Sequence, residues 1–112
     1  MIGDSIFGIH ATALKVRESR MGILASNIAN AATPNYKARD LDFGDALKLA
    51  ENGQAADPAL RFRIPVQTSM DGNTVEMATE QTAFAENALG YRTSLSFLQG
   101  RISTLSRALK GE

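Results

Sequence analysis

The residues that could perform catalysis in this chain are few. His10 is the only histidine and there is no cysteine, so disulfides and thiolate metal sites are excluded, and a metal site built on two histidines is excluded as well. A Ser–His–Asp site would need partners that meet His10 in space, and no strand–turn–helix nucleophile motif is present. We therefore expect His10 to lie on a helix surface or seam. Only activity lost on replacing it would revive a hydrolase hypothesis.

A second group of candidate ligands is acidic. Asp40, Asp42 and Glu51 fall at positions one, three and twelve of a calcium-binding loop. The match then fails, because Gly44 stands where a ligand belongs and Asp45 stands where the turn needs glycine. Acidic residues here more simply favour the start of a short helix. The sequence therefore predicts a protein that is not an enzyme, with no metal, no cofactor and no small-molecule substrate.

The amino-acid composition further limits the classes of partner that the chain could bind. The chain has 112 residues, with 12 basic and 12 acidic side chains, so no net field would attract nucleic acid or an anionic membrane. The length suits a single domain over residues 1–112. No apolar run reaches the roughly 20 residues that span a bilayer. Met1–His10 lacks the features of a secretory signal, so we expect any export to proceed without a cleaved signal peptide.

The first element that could position functional residues is a helix predicted over residues 6–31. Asp4 or Ser5 could cap its start. Thr33-Pro34 should end it, because the residue before proline is disfavoured in helical conformation. Its apolar residues recur at heptad spacing, which indicates a packing stripe. The members of this stripe are Phe7, Leu14, Met21, Leu24 and Ile28.

The middle of the chain, residues 34–72, holds all three prolines. Asp42–Ala50 could form a short helix. The alternation of apolar and polar residues from Leu60 to Val66 predicts a short strand or an extended arm, which Pro65 would confine to a sheet edge. The segment has few apolar residues, so we expect it to be irregular, and partly mobile or ordered only by neighbours.

The strongest pattern predicts a C-terminal helix over residues 74–110. Asp71-Gly72 supplies a turn before it, and Asn73 followed by Glu76 resembles a capping box. Its stripe is spaced four, three, four, three over more than four heptads, which is typical of a coiled coil. The stripe consists of Met77, Gln81, Phe84, Ala88, Tyr91, Leu95, Leu98, Ile102, Leu105 and Leu109.

These elements predict a mainly α fold in which the long N- and C-terminal helices form an antiparallel coiled-coil hairpin. Between Phe84 and Leu109 the charged residues are only Glu86, Arg92, Arg101 and Arg107. A free hairpin should cover its outer faces with charge. One interpretation is a somewhat apolar surface helix, since exposed apolar atoms are common. We favour the other, in which the helix has neighbours on more than one side.

The segment from Leu24 to Tyr36, LASNIANAATPNY, resembles the N-terminal signature of flagellar axial proteins, the family of rod, hook and hook-associated subunits. Its alanines allow close packing, while Asn27 and Asn30 can bond the backbone of neighbouring helices. Asn35 stands where the family usually has glycine, and Asn tolerates the left-handed conformation next best.

Three further strings, YKARDLDF, DGNTV and FAENAL with Tyr91, resemble proximal rod subunits of the flagellar basal body. The resemblance implies export by the flagellar type III apparatus and a place in the periplasmic rod. Its expected partners are copies of the chain, other rod subunits and the basal-body adaptor protein near the membrane ring. The matching motif positions, which we expect to be structural, are Asn27, Asn30, Pro34, Asn35, Tyr36, Asp71, Gly72, Asn73, Asn87 and Tyr91.

The resulting hypothesis is a structural rod subunit that transmits torque from motor to hook and filament. One helix stripe would hold the hairpin together, and a second face would pack in the lattice. The alternative is a cytoplasmic helical-hairpin binding module, such as a secretion chaperone or adaptor, which predicts a stable soluble dimer. The expected packing and assembly residues are Phe7, Leu14, Met21, Leu24, Asn27, Ile28, Asn30, Phe84, Ala88, Tyr91, Leu95, Leu98, Ile102, Leu105 and Leu109.

Overall fold

The computed structural model describes residues 2–65 and 69–111, with side chains from residue 8 onward. Two long antiparallel helices form the body of a molecule measuring 65 × 25 × 18 Å. This mainly helical hairpin with a small sheet in its middle segment confirms the predicted fold class. The elements in chain order are α1 Ile2–Ala29, β1 Arg39–Leu41, α2 Phe43–Glu51, a 3₁₀ turn Asp57–Ala59, β2 Leu60–Phe62 and α3 Met77–Lys110.

Helix α1 begins at Ile2, four residues before its predicted start, so a cap at Asp4 or Ser5 is wrong. The helix ends at Ala29, and Thr33-Pro34 lies in the turns that follow. The side chain of Phe7 lies outside the described part of the chain, as does Val66.

Helix α3 begins at Met77, and its N-cap residue is Glu76. The predicted capping box is therefore wrong, because Asn73 lies three residues before the cap and bonds elsewhere. The helix ends at Lys110 and is capped by Gly111, whose φ of 76° places it in the left-handed region and whose N–H donates to the carbonyls of Ala108 and Arg107. Glycine is the usual residue at this closing position, because it has no Cβ to clash there.

The middle segment folds against α1. Strands β1 and β2 pair antiparallel with Arg39 opposite Phe62 and Leu41 opposite Leu60, which confirms the predicted short strand. Helix α2 confirms the predicted short helix, and Asp42 caps it by accepting from Asp45 N–H at 3.1 Å. The predicted mobility of residues 34–72 is a dynamic property and stays a prediction. The core that fixes the segment consists of Val16, Leu41, Ala46 and Ala59.

Candidate assembly interface

The seam between α1 and α3 is made by small and polar side chains of α3. Four of them are buried, and they recur at the heptad spacing expected for an antiparallel pair: Glu80, Ala83, Asn87 and Ser94. Gly90 continues the same row and is half-buried. Short side chains in this row let the two backbones approach closely, so the seam has the right period but few large apolar groups.

Each residue of this seam is followed, one position later in the chain, by a residue of the predicted apolar stripe of α3. One residue rotates the side chain by roughly 100° around a helix. The large residues therefore sit beside the seam, with Phe84, Ala88, Tyr91 and Leu98 half-buried. Towards the C-terminus the stripe faces solvent, with exposed fractions of 37% for Leu95, 59% for Ile102, 49% for Leu105 and 89% for Leu109.

Helix α1 shows the same displacement. Leu24 is fully buried, as predicted for a seam residue, whereas Leu14, Met21 and Ile28 are only half-buried. Two buried residues, Ala13 and Asn27, precede Leu14 and Ile28 by one position. On both helices the predicted stripe is thus partly used by the hairpin and partly left open along its edge.

Asn27, at the last full turn of α1, is completely buried and closes one edge of β1. Its Oδ1 accepts the Arg39 N–H at 3.1 Å, and its Nδ2 donates to the Arg39 carbonyl at 2.6 Å. The side-chain amide thus replaces the peptide group of a neighbouring strand. The same Nδ2 donates to Glu80 Oε2 at 2.9 Å, so this one side chain joins α1, β1 and α3.

Glu80 is a fully buried carboxylate, and Arg63 supplies its charge partner. Arg63 Nε lies 2.7 Å from Glu80 Oε1, and Nη2 donates to Oε2 at 3.3 Å and to Asp40 Oδ2 at 3.1 Å. Asp40 also receives a two-point bond from Arg20, at 2.8 and 3.0 Å. We call the set Arg20, Asn27, Asp40, Arg63 and Glu80 the clasp, because it ties the middle segment across both helices.

The electrostatics of the clasp are balanced, with two cations and two carboxylates. Burial opposes ionisation of Asp40, but the hydrogen bond and charge of Arg20, the Leu41 N–H and the charge of Arg63 outweigh it. The pKa of Asp40 therefore lies below its ordinary value, and Asp40 in turn raises the pKa of Arg20. Asp40 is ionised throughout the neutral range, which keeps the clasp closed.

Asn73 holds the turn that follows α1. Its Nδ2 lies within hydrogen-bond distance of the carbonyls of Asn30 at 3.0 Å, Ala31 at 3.1 Å and Thr33 at 2.7 Å. Its Oδ1 accepts the Val75 N–H at 2.7 Å. These three carbonyls belong to turn residues after Ala29, so Asn73 serves as a cap on that turn, supplied from across the chain. This role replaces the one that the capping-box pattern suggested.

The remaining motif positions surround this cap. Asn35 adopts a φ of 63°, the left-handed conformation expected of it, and its N–H donates to the Asp71 carbonyl at 2.8 Å. Tyr36 OH lies 3.1 Å from Ser26 Oγ. Gly72 has a φ of 77°, and a Cβ there would collide with the side chain of Asn35. The turn requires glycine at 72 and permits Asn at 35.

Two more motif residues lie at the same end. Pro34 is exposed within the turn, where it stops α1 from continuing. Asn30 donates from Nδ2 to the Ser26 carbonyl at 2.8 Å, and its Oδ1 accepts from Thr33 Oγ1 at 3.0 Å. The predicted bonding of this side chain to a neighbouring helix is therefore not seen within the hairpin, because its groups are used locally.

Asn87 ties the middle of the hairpin. It is fully buried, and its Nδ2 donates to the Arg17 carbonyl of α1 at 2.8 Å. The Arg17 side chain crosses over the ring of Phe43 at 4.4 Å, and burial lowers the pKa of its guanidinium. Gly90 leaves room for that guanidinium, since a Cβ there would come 2.5 Å from Arg17 Cζ.

His10 lies in the seam, where its ring stacks on Phe97 at a centroid distance of 4.2 Å. The position fits the expectation of a seam residue. Over residues 2–65 and 69–111, no group of three or more His, Asp and Glu side chains is placed to hold a metal ion. Over the same residues, no helix has both the length and the apolar character needed to cross a membrane.

The sequence interpretation missed most of the clasp. Arg20 and Glu80 interrupt the apolar pattern of their helices and look like ordinary surface charges. Arg63 alternates with the apolar residues of the predicted arm. Two features of the sequence could have indicated the clasp. Arg20 and Glu80 have no oppositely charged residue three or four positions away on their own helices, and each helix has an Asn at a seam position.

A helical hairpin closed at its loop end, with apolar residues exposed along its length, is typical of a structural subunit that packs against other helices. The family model described as Flagella basal body rod protein matches residues 7–37. Flagellar basal body rod protein FlgB of Cereibacter sphaeroides is 52% identical, over 94% of each chain. The proteins of the same name from Aeromonas hydrophila and Escherichia coli K12 are 43% and 40% identical, over 97% and 96% of this chain and 96% and 94% of their own.

The chain therefore belongs to the family of flagellar basal body rod proteins FlgB. It is a structural rod subunit of the flagellar basal body, and it associates there with other rod and basal-body components.

Proposed function

We propose that this chain builds the proximal rod as a non-enzymatic subunit that transmits torque through helix packing. In this proposal it reaches the periplasmic space through the flagellar type III export apparatus. Its partners are copies of itself, other rod subunits and the basal-body adaptor protein near the membrane ring. Family membership supports the place of assembly, and the geometry of the hairpin supports the mechanism.

The observation that carries the proposal is the one-residue displacement between seam and apolar stripe on α3. A self-contained hairpin would turn its largest apolar side chains into the seam. Here the seam uses Glu80, Ala83, Asn87 and Ser94, while Ile102 and Leu105 remain about half exposed. A continuous exposed apolar row on a long helix is typical of a protein interface.

The stripe divides into two parts in this proposal. Phe84, Ala88, Tyr91 and Leu98 are half-buried, so they stabilise the hairpin and offer an edge to a neighbour. Ile102, Leu105 and Leu109 are 49–89% exposed and contact neighbours, whereas Leu95, at 37% exposed, is shared between the hairpin and a neighbour. Each large apolar side chain that becomes fully buried contributes about 1.5–3 kcal/mol. Repeated over a ring of subunits, such contacts can make a stiff shaft.

The test introduces Ile102→Asp into a flagellated host that carries this chain as its rod subunit. Burying an unpaired carboxylate at a subunit contact costs several kcal/mol, so we expect no complete rod and no swimming. Thr104→Asp is the matched control, because Thr104 is exposed roughly 160° away on the same helix turn. Circular dichroism of both purified variants should match the parent chain.

Swimming at the parental rate with Ile102→Asp would contradict the proposal. Sedimentation adds a second arm, since an assembling subunit should associate more as concentration rises. A concentration-independent, sharply melting dimer would instead favour a self-contained binding module.

A further inference from the structure

Arg17 is held in one position by contacts with two other elements. Its backbone carbonyl accepts from Asn87 Nδ2 at 2.8 Å, and its Cζ lies 4.4 Å from the centre of the Phe43 ring. On α3 the guanidinium lies against Gly90, where a Cβ would come 2.5 Å from Cζ and 2.6 Å from Nη1. The guanidinium therefore occupies a slot between the start of α2 and the middle of α3.

No carboxylate compensates this cation among the described residues. Arg17 takes part in none of their ion pairs, and its Nε is buried without a hydrogen-bond partner. Burial lowers the pKa of Arg17, and the nearby charge of Arg20 lowers it further. Arg20, three residues later on the same helix, is neutralised by Asp40. Arg17 is therefore a partly desolvated cation whose desolvation is not offset by an opposite charge.

Gly90 shows that α3 gives up stability to keep the guanidinium in this slot. Glycine in the interior of a helix is destabilising relative to alanine. Residue 90 lies inside α3 and has no positive φ, so the backbone does not require glycine there. The Phe43 ring does not require a charge either, because an uncharged side chain of similar length would cover it. Neither contact explains why the residue at position 17 is a cation.

We propose that Arg17 is an anchor that binds a carboxylate side chain of a neighbouring subunit. The inference rests on the proposed function and deepens it, since it names one contact that assembly completes. The side chain is half-buried, so part of it is open to a partner. A planar guanidinium that is already fixed in place loses little freedom when it forms a two-point bond to a carboxylate. Arginines of this kind are enriched among the residues that dominate the energy of protein interfaces.

A free anion such as inorganic phosphate is another source of negative charge. Phosphate sites in proteins combine several donors, for example the N–H groups at a helix start or more than one cation. Arg17 lies in the interior of α1, where the backbone N–H groups are already bonded, and Arg20 is bound to Asp40. A single guanidinium in a slot suits one carboxylate better than a phosphate.

The experiment separates stability from assembly with the variant Arg17→Met. Methionine keeps an apolar contact with the Phe43 ring and removes the charge. We expect the urea midpoint of the purified variant to equal or exceed the parental value, because the unpaired cation is gone. In a flagellated host that carries this chain as its rod subunit, the number of complete rods per cell should fall at least about tenfold.

Two further variants complete the design. Lys15→Met is the matched control, because Lys15 is an exposed cation two residues away that has no ion pair in the described part of the chain. It should form rods in parental number. Gly90→Ala keeps the charge but displaces the guanidinium, so it should lose rods as Arg17→Met does.

Sedimentation and a phosphate titration identify the source of the anion. Weaker self-association of Arg17→Met than of the parent assigns the carboxylate to a second copy. Parental self-association combined with lost rods assigns it to another rod subunit. If phosphate raises the urea midpoint of the parent but not that of Arg17→Met, the site belongs to a free anion and the proposal fails.

Parental numbers of rods in Arg17→Met or in Gly90→Ala would overturn the proposal, and so would an equal loss in Lys15→Met. A large fall in the urea midpoint of Arg17→Met would overturn it as well, because the hairpin itself would then need the cation. Rods lost in Ile102→Asp but retained in Arg17→Met would reject the anchor while leaving the rod-subunit function standing.

Discussion

The two ends of the hairpin are built from different chemistry. At the loop end, Asn27, Glu80 and Asn73 are buried, and hydrogen bonds or ion pairs join each of them to another element. At the terminal end, Ile102 and Leu109 are mostly exposed. Polar groups close the first end to further partners, and apolar groups leave the second end open to them.

This difference shows how one small chain can keep a defined shape and still assemble. A buried polar network is satisfied in few arrangements, so it fixes how the middle segment lies across α1 and α3. An apolar stripe accepts any complementary apolar surface. Specificity within the subunit and adhesion between subunits are therefore carried by separate parts of the same two helices.

The largest effect should come from breaking the clasp. Arg63→Met removes the charge partner of Glu80, which is fully buried. An uncompensated buried charge costs about 3–5 kcal/mol, so we expect urea unfolding to show a loss of that order. Arg61→Met, two residues away, removes an exposed pair with Asp45 and exposed hydrogen bonds to the carbonyls of Pro58 and Leu60, and it should cost about 0–1 kcal/mol. Equal losses in the two variants would mean that the clasp does not hold the loop end.

A smaller loss should follow from removing the cap that Asn73 provides. In Asn73→Ala three carbonyls of the turn after α1 lose their donor, which should cost about 1–3 kcal/mol. Hydrogen exchange should report faster opening of the turn that follows α1. Asn52→Ala, at an exposed Asn, should stay within about 0.5 kcal/mol of the parent. A similar change in both variants would argue against the cap.

Acid should weaken the loop end before the terminal end. The folded-state pKa of Asp40 is lowered, so its contribution is complete above the unfolded value of about 3.9 and is lost as the pH falls through the folded value. Stability of the parent chain should therefore fall more steeply below about pH 4 than that of Asp40→Asn. Unfolding curves between neutral and acid pH measure this, and parallel profiles would contradict it.

The smallest effects separate two glycines of α3. A Cβ at Gly100 meets nothing within 4 Å, so Gly100→Ala should stabilise by about 0.5–1 kcal/mol through backbone entropy. At Gly90 the same Cβ comes 2.5 Å from Arg17 Cζ. The Arg17 side chain must then move off the ring of Phe43, and the loss of that contact should offset the stabilisation from backbone entropy. Thermal unfolding measures the stability of the two variants. Equal stabilisation would show that the seam can accommodate a Cβ at Gly90.

The local sequence was sufficient to predict which helices and strands form. Pro34 and Asn35 placed the end of the first helix within a few residues, because proline and left-handed conformations act on their immediate neighbours. The short helix after Asp42 and the strand from Leu60 followed from capping and alternation. The starts of both long helices were misplaced by three or four residues. At the second of them, Asn73 had cap chemistry but bonds to the turn after α1.

The sequence by itself determined two long helices, their heptad period and a stripe of large apolar residues on α3. Only the tertiary structure decided which face forms the seam. Two rows one residue apart share the same spacing, so periodicity cannot choose between Asn87 and Ala88, whereas close approach of the backbones selects the row of smaller or hydrogen-bonded side chains. Local sequence patterns could not predict the clasp either. Its charged members are far apart along the chain and become partners only when the middle segment folds across both helices: Arg20, Asp40, Arg63 and Glu80.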